Sequence, residues 1–124
     1  MHTDHGMITG THHSFAAQPC QDYCQSGEIP DGAWAAISDG CSGAKGRSDL
    51  GARAMVLSAE AVLKERGASI MDSPAVFQDA VLHACRAWLE PVSEEDLFAT
   101  LCVVAGNRSA LHAMVWGDGA ILIK

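Results

Sequence analysis

The chain has 124 residues, of which 48% are hydrophobic and 19% charged, and its formal net charge is −7. These values are typical of one folded domain or part of one, and the acidic charge gives no electrostatic basis for binding nucleic acid. No apolar run is long enough to span a membrane, and the N-terminus lacks the basic and then apolar order of a signal peptide. We therefore expect a cytoplasmic protein that binds neither nucleic acid nor membranes.

The first predicted element is a short buried strand over residues 33–38, which the Asp39-Gly40 pair ends. A glycine-containing loop follows. Ser48 is a suitable N-cap for a helix that Gly67 ends. One apolar stripe of this helix is predicted to be buried. It consists of Leu50, Ala54, Leu57 and Ala61.

A second helix is predicted to begin at Ser73-Pro74, because proline suits the first helical position, and to end at Glu90-Pro91. Its predicted buried face consists of Phe77, Ala80, Val81, Ala84 and Trp88. We interpret these apolar residues, together with Trp34 and Trp116, as core.

The last third of the chain favours strands. Residues 98–105 and 110–116 are rich in β-forming residues, and the turn residues 106–109 between them predict a hairpin. Asp118-Gly119 predicts a second tight turn into a strand over 120–123. Strands, two helices and then an antiparallel meander indicate an α+β fold. Because the sequence stops within this last predicted strand, we expect a following segment or a second chain to cover it.

The most informative stretch for chemistry surrounds the end of the first strand. Asp39 places a carboxylate there, and the following Gly40 allows its carbonyl to turn toward the same point. Mg²⁺ and Mn²⁺ prefer such oxygen ligands and retain waters. This pair alone is common at strand ends, so its significance depends on the other motifs.

Five short motifs occur in one order along nearly the whole chain. They are Gly10-Thr11-His12, Cys20-Gln21-Asp22, Ser38-Asp39-Gly40 with Ser48-Asp49-Leu50-Gly51-Ala52, Ala99-Thr100-Leu101, and Gly117-Asp118-Gly119. This series resembles the N-terminal portion of the type 2C (PPM) metal-dependent protein serine/threonine phosphatases, in their bacterial branch. The resemblance implies that residues 1–124 are part of a single phosphatase domain, an antiparallel β-sandwich flanked by helices and incomplete at the C-terminus.

The resemblance also implies a metal centre and a substrate. Two or more Mn²⁺ or Mg²⁺ ions would be bound, with Asp39 bridging two of them and the Gly40 carbonyl binding one. Asp22 would orient metal-bound waters, and Asp118 would lie beside the cluster, where some relatives hold a third ion. A metal-activated water would then attack the phosphorus of a phosphoserine or phosphothreonine in a phosphoprotein.

Three departures from the family pattern leave an alternative open. Gln21 replaces a common glutamate, Cys41 replaces a common histidine, and two later aspartates of the family lie beyond Lys124. The span therefore supplies about half of a metal centre by this match. A non-catalytic phosphatase-like module that binds a phosphoprotein or another partner is the alternative from a different class.

A second alternative is a cysteine-dependent phosphatase. Residues 41–48 fit the C-x5-R-S signature, with Cys41 as nucleophile and Arg47 as phosphate clamp before a helix N-terminus. However, Gly40 stands where that family usually has histidine, and a well-placed general acid is missing. We favour the metal-dependent mechanism; under either, Lys45 and Arg47 are candidates for attracting the substrate phosphate, or are simply solvated cations.

Overall fold

The computed structural model describes residues 3–9, 20–41, 48–88 and 98–122. The elements are β1 (Asp22–Ile29), β2 (Gly32–Asp39), α1 (Ser48–Arg66), a short 3-10 helix (Ala68–Asp72), α2 (Pro74–Trp88), β3 (Leu101–Gly106) and β4 (Leu111–Trp116). The α+β class is confirmed. Across these ranges, no helix has both the length and the apolar character needed to cross a membrane.

The four strands form one antiparallel sheet in the order β1-β2-β3-β4. A two-residue turn joins β1 to β2, so that Ile29 pairs with Gly32. The two helices are inserted between β2 and β3, yet these strands are neighbours, with Ile37 opposite Cys102. The end of β2 consequently lies beside the start of β3, and this is where the sequence predicted the chemistry.

The hydrophobic core lies between one face of the sheet and the helices. Because side chains alternate along a strand, Trp34 on β2 and Leu101 on β3 share this face, and both are almost completely buried. Phe77 of α2 is also fully buried, and its ring centroid lies 5.7 Å from that of Trp116. The prediction that Trp34 belongs to the core is confirmed, and Trp116 packs against the core while partly buried.

The bounds of α1 agree with the sequence, but its predicted buried stripe is confirmed only at Ala54, which belongs to the core. Ala61 is exposed, and Leu50 and Leu57 are only half-buried. The fully buried residues of α1 instead include Ala52, Val56, Ser58, Ala59 and Leu63. Because α1 contacts both the sheet and α2, a wide arc of the helix surface is covered. The small residues on this arc allow close packing.

The start of α2 at Pro74 is confirmed, as is the burial of Phe77 and Val81, whereas Ala80 and Ala84 are half-buried. The side chain of Trp88 and the predicted end at 90–91 lie outside the described residues.

The 3-10 helix was not predicted. Gly67 ends α1 with a φ of 72°, and the Asp31 carboxylate of the β1–β2 turn accepts a hydrogen bond from the Ala68 amide at 3.0 Å. This contact fixes the turn between α1 and α2 against the far end of the sheet.

The hairpin between β3 and β4 is confirmed, and the Asn107 side chain accepts hydrogen bonds from the amides of Ser109 and Ala110 at 2.8 and 3.0 Å. The strand predicted over 120–123 is wrong for its described part, because residues 119–122 form no strand. Gly117 has a φ of 102° and turns the chain off the β4 direction. Gly119 then packs so closely on the Cys102 side chain that no Cβ would fit there.

We expect Gly32→Ala to destabilise the fold by about 1–3 kcal/mol, the usual cost of overpacking. A Cβ at Gly32 would collide with the Gly106 carbonyl and lie 3.0 Å from the Asn107 Cα, and these are backbone atoms that cannot rotate away. Urea unfolding measures the change. Gly6→Ala is the control, because its added Cβ meets nothing within 4 Å. Equal stability of the two variants would contradict the packing described here.

Candidate metal centre

The end of β2 is held by hydrogen bonds to Thr100, the residue just before β3. The Thr100 amide donates to the Asp39 carbonyl at 2.9 Å, and the Asp39 amide donates to the Thr100 hydroxyl at 3.1 Å. The buried Ser38 hydroxyl donates to the Thr100 carbonyl. Three bonds therefore fix the backbone from which the Asp39 side chain projects, although Asp39 itself is exposed.

The backbone amides of the two residues after Asp39 also form hydrogen bonds, one toward β1 and one toward the segment before β3. The Gly40 amide donates to the Gln21 carbonyl at 3.1 Å, and the Cys41 amide donates to the Phe98 carbonyl at 2.9 Å. Gly40 also forms an isolated bridge with Ala99 and is buried. The Asp39-Gly40 pair is thus the end of a paired strand, which positions it more firmly than a loop would.

An open pocket of about 370 Å³ lies at this end of the sheet. It is lined by Asp39, Gly40, Cys41, Phe98, Ala99, Thr100 and Asp118. Asp118 reaches the pocket because Gly117 turns the chain with a positive φ, and a Cβ at Gly117 would lie 2.7 Å from the Thr100 Cγ2. Glycine is therefore required at 117 both by its backbone conformation and by the nearness of Thr100.

Asp22 is the first residue of β1 and pairs directly with Asp39 across the two strands. The pKa of Asp39 is raised above its ordinary value. The largest cause is partial burial, followed by a hydrogen bond with Asp22, the charge of Asp22 and the charge of Asp118. A divalent cation bound beside Asp39 would relieve the repulsion between these carboxylates.

The donor set fits a hard divalent cation. Within the described ranges, no group of three or more His, Cys, Asp or Glu side chains is arranged to hold an ion by itself. Mg²⁺ and Mn²⁺, however, keep several waters and are bound through as few as one or two carboxylates. Asp39, Asp118 and the Gly40 carbonyl provide this chemistry at one pocket, with room for water between them.

The structure brings together some of the predicted site residues and leaves others untested. Asp22 and Asp118 lie close enough to Asp39 to affect its pKa, and Gly40 lines the same pocket. Lys45 and Arg47 lie outside the described residues, so their predicted contact with phosphate remains a prediction.

Two residues of the site had no role assigned from the sequence. Thr100 belongs to the motif Ala99-Thr100-Leu101, but only the structure reveals its bonds to Asp39. Phe98 was assigned only to a strand-rich segment, yet it lines the pocket with 60% of its surface exposed.

The raised pKa of Asp39 predicts how stability depends on pH. The folded protein holds this proton at pH values at which the unfolded chain has released it. Stability therefore falls as the pH rises from the ordinary carboxyl pKa to the raised one. Asp39→Asn removes this penalty, so in EDTA at neutral pH the variant should unfold at a higher temperature than the wild type.

Thermal unfolding in EDTA across the acidic to neutral range measures this difference, which should shrink toward low pH. Saturating Mn²⁺ should reverse the order, because only the wild type keeps the carboxylate ligand. If the wild type were more stable than Asp39→Asn in EDTA at neutral pH, this result would contradict the repulsion between the carboxylates described here.

Comparison with known proteins gives one match. The sequence model of the family described as protein phosphatase 2C matches residues 9–124, a span that includes Asp22, Asp39, Gly40 and Asp118. Searches of curated proteins and of solved structures give no significant match. The match covers most of the chain and agrees with the resemblance seen in its motifs. The chain belongs to the protein phosphatase 2C family.

Proposed function

We propose that this chain forms the N-terminal part of a protein serine/threonine phosphatase that hydrolyses phosphomonoesters with Mn²⁺ or Mg²⁺. Family membership supports phosphatase chemistry. The observation that carries the metal-dependent mechanism is the convergence of Asp39, Gly40 and Asp118 on one pocket, with Asp22 beside Asp39.

The residues have distinct roles in the proposed mechanism. When bound, the divalent cations neutralise phosphate charge and supply a hydroxide nucleophile at neutral pH. The Asp39 carboxylate and the Gly40 carbonyl would hold the cations, and Asp118 would hold a further one. Asp22 would accept a hydrogen bond from the nucleophile and orient it. The hydroxide oxygen would form a bond to phosphorus while the bond to the serine or threonine oxygen breaks, and that leaving oxygen would take up a proton from solvent water.

The shape of the pocket suits a phosphorylated side chain that projects from a protein. It is open to solvent, and its lining includes the exposed Phe98 and Cys41. Lys45 and Arg47 follow Cys41 closely in sequence and are proposed to attract the phosphate, which a strongly acidic protein needs local cations to do.

The remainder of the domain is proposed to complete both the fold and the site. The face of the sheet opposite the helices carries Ile37, Leu111 and Val115, which are 53%, 51% and 37% exposed. A second sheet packed there would bury this apolar surface and produce the β-sandwich that the family resemblance implies. The two aspartates expected after Lys124 would supply the remaining carboxylate ligands.

The pocket favours metal-dependent hydrolysis over a cysteine nucleophile. A reactive cysteine needs an electropositive setting, such as a helix N-terminus with nearby cations. The described neighbours of Cys41 in the pocket instead include the carboxylates of Asp39 and Asp118, which repel a phosphate dianion unless a cation is bound. A phosphatase-like module that binds without catalysis is the remaining candidate.

We expect Asp39→Asn to lower Mn²⁺-dependent hydrolysis of an aryl phosphate by roughly 100-fold or more, because even the partners that orient metal ligands are worth 10–100-fold. Cys41→Ser should retain most of the activity. Initial rates with Mn²⁺ and with EDTA measure both effects. Asp79→Asn on α2 is the matched control, since it removes one carboxylate that does not line the pocket.

Other outcomes separate the alternatives. Hydrolysis that survives EDTA and is lost in Cys41→Ser would establish the cysteine mechanism instead. If residues 1–124 are inactive but the full-length natural chain is active with Mn²⁺, the later aspartates complete the site. Inactivity of both, with phosphopeptide binding retained, would favour the non-catalytic module.

A further inference from the structure

The side chain of Thr100 contacts both parts of the chain that carry the pocket carboxylates. Its hydroxyl accepts a hydrogen bond from the Asp39 amide at 3.1 Å. Its methyl group lies against Gly117, the residue before Asp118, because a Cβ added to Gly117 would lie 2.7 Å from the Thr100 Cγ2. Thr100 is half-buried and lines the pocket together with Asp39 and Asp118. One side chain therefore contacts both arms of the candidate site.

We propose that Thr100 is a positioning residue that sets the separation between the Asp39 and Asp118 carboxylates through the two branches of its side chain. The inference rests on the metal centre of the proposed function and deepens it by naming a residue that determines cation affinity without serving as a ligand. Threonine carries its hydroxyl and its methyl group on one carbon, whose rotation about χ1 is restricted. A hydrogen bond at one branch and a packing contact at the other therefore keep the two arms in one relative position.

The hydroxyl branch acts on Asp39. Without the hydroxyl, the Thr100 amide still donates to the Asp39 carbonyl at 2.9 Å, but the Asp39 amide loses its partner. These two bonds lie on either side of the Asp39 Cα, so the loss of one allows the Cα and its carboxylate to tilt. Thr100→Val makes this change with little change in shape, because a methyl group replaces the hydroxyl.

The methyl branch acts on Asp118 through Gly117. The pairing of β3 with β4 ends at Leu101 and Trp116, so Thr100 and Gly117 lie just beyond the last pair. The three atoms nearest to a Cβ placed on Gly117 all belong to Thr100. Glycine has the greatest backbone freedom of any residue, so removal of the methyl group leaves a space into which Gly117 can move together with Asp118. Thr100→Ser makes this change while keeping the hydroxyl.

Amide hydrogen exchange, measured by nuclear magnetic resonance, tests the hydroxyl branch in the metal-free protein. We expect the Asp39 amide to exchange about 5-fold faster in Thr100→Val, relative to the Trp34 amide of the same strand, because one hydrogen bond is lost. Thr100→Ser should keep the wild-type ratio. Thr3→Val is the matched control and should also keep it, since it removes a hydroxyl that does not line the pocket.

Mn²⁺ binding, followed by the electron paramagnetic resonance signal of the free ion, tests both branches without relying on catalysis. The affinity should fall by about 10-fold in Thr100→Val and in Thr100→Ser, as expected when a partner that orients a ligand is lost. In an Asp118→Ala background, Thr100→Ser should cause no further loss, because the methyl group acts through Asp118. Thr100→Val should still lower the affinity in that background, because it acts through Asp39.

Circular dichroism checks that each variant is folded. Unchanged Mn²⁺ affinity in both Thr100 variants, or unchanged exchange of the Asp39 amide in Thr100→Val, would overturn the proposal. An equal loss of affinity in Thr100→Ser with and without Asp118 would also overturn it, because it indicates a general loosening of the fold. A wild type that binds no Mn²⁺ would overturn it together with the proposed metal centre. The expected pattern in a protein that hydrolyses no phosphate would support it while counting against the phosphatase activity.

Discussion

The attachment of the end of β2 to Thr100 is the interaction on which the candidate site depends. The Asp39 backbone forms two hydrogen bonds with Thr100, one with its amide and one with its hydroxyl. The buried Ser38 hydroxyl donates a third, to the Thr100 carbonyl. Because Gly40 is also bonded to Gln21, the carboxylate of Asp39 projects from a point held on both sides. Side chains from β1 and from the turn after β4 can then approach it at defined positions, as catalytic and binding groups require.

The same arrangement places like charges together. Partial burial, followed by the neighbouring Asp22 and Asp118, raises the pKa of Asp39, so ionising this carboxyl group costs the metal-free protein stability. Such crowding is typical of sites built for a cation, because the ion that relieves it gains affinity from the relief. In the proposed metal centre, a bound cation would relieve the crowding that weakens the metal-free protein.

Features that depend on neighbouring residues could be predicted from the sequence, whereas features that depend on distant parts of the chain could not. Asp39-Gly40 at a strand end, Ser48, Gly67 and Pro74 are local signals, and each marks an element boundary that the structure has. The convergence of Asp22 and Asp118 on Asp39 came only from the family resemblance, because the pairing that creates it joins distant parts of the chain.

Of the features that escaped prediction, three have identifiable physical reasons. The buried arc of α1 contains small residues, whose weak hydrophobic signal conceals how closely they pack. The sequence set no bounds for β1 because polar residues face the helix: the Gln25 amide donates to Glu60 at 3.0 Å, and the Arg53 guanidinium lies 5.3 Å from the centre of the Tyr23 ring. The path after Gly117 depends on its positive φ and on the space beside Cys102, which no local pattern encodes.

The insertion of both helices between two neighbouring strands connects the fold with the proposed chemistry. It places the whole helical layer on one face of the sheet, where Trp34 and Phe77 form the core. The ends of β1 and β2 that carry Asp22 and Asp39 are thereby left at the margin of the core, accessible to ions and phosphate. The opposite face, where Ile37 is exposed, also carries its cross-strand partners Cys24 and Cys102. A second sheet packed on that face, as proposed above, would border the pocket from the side that the helices leave open.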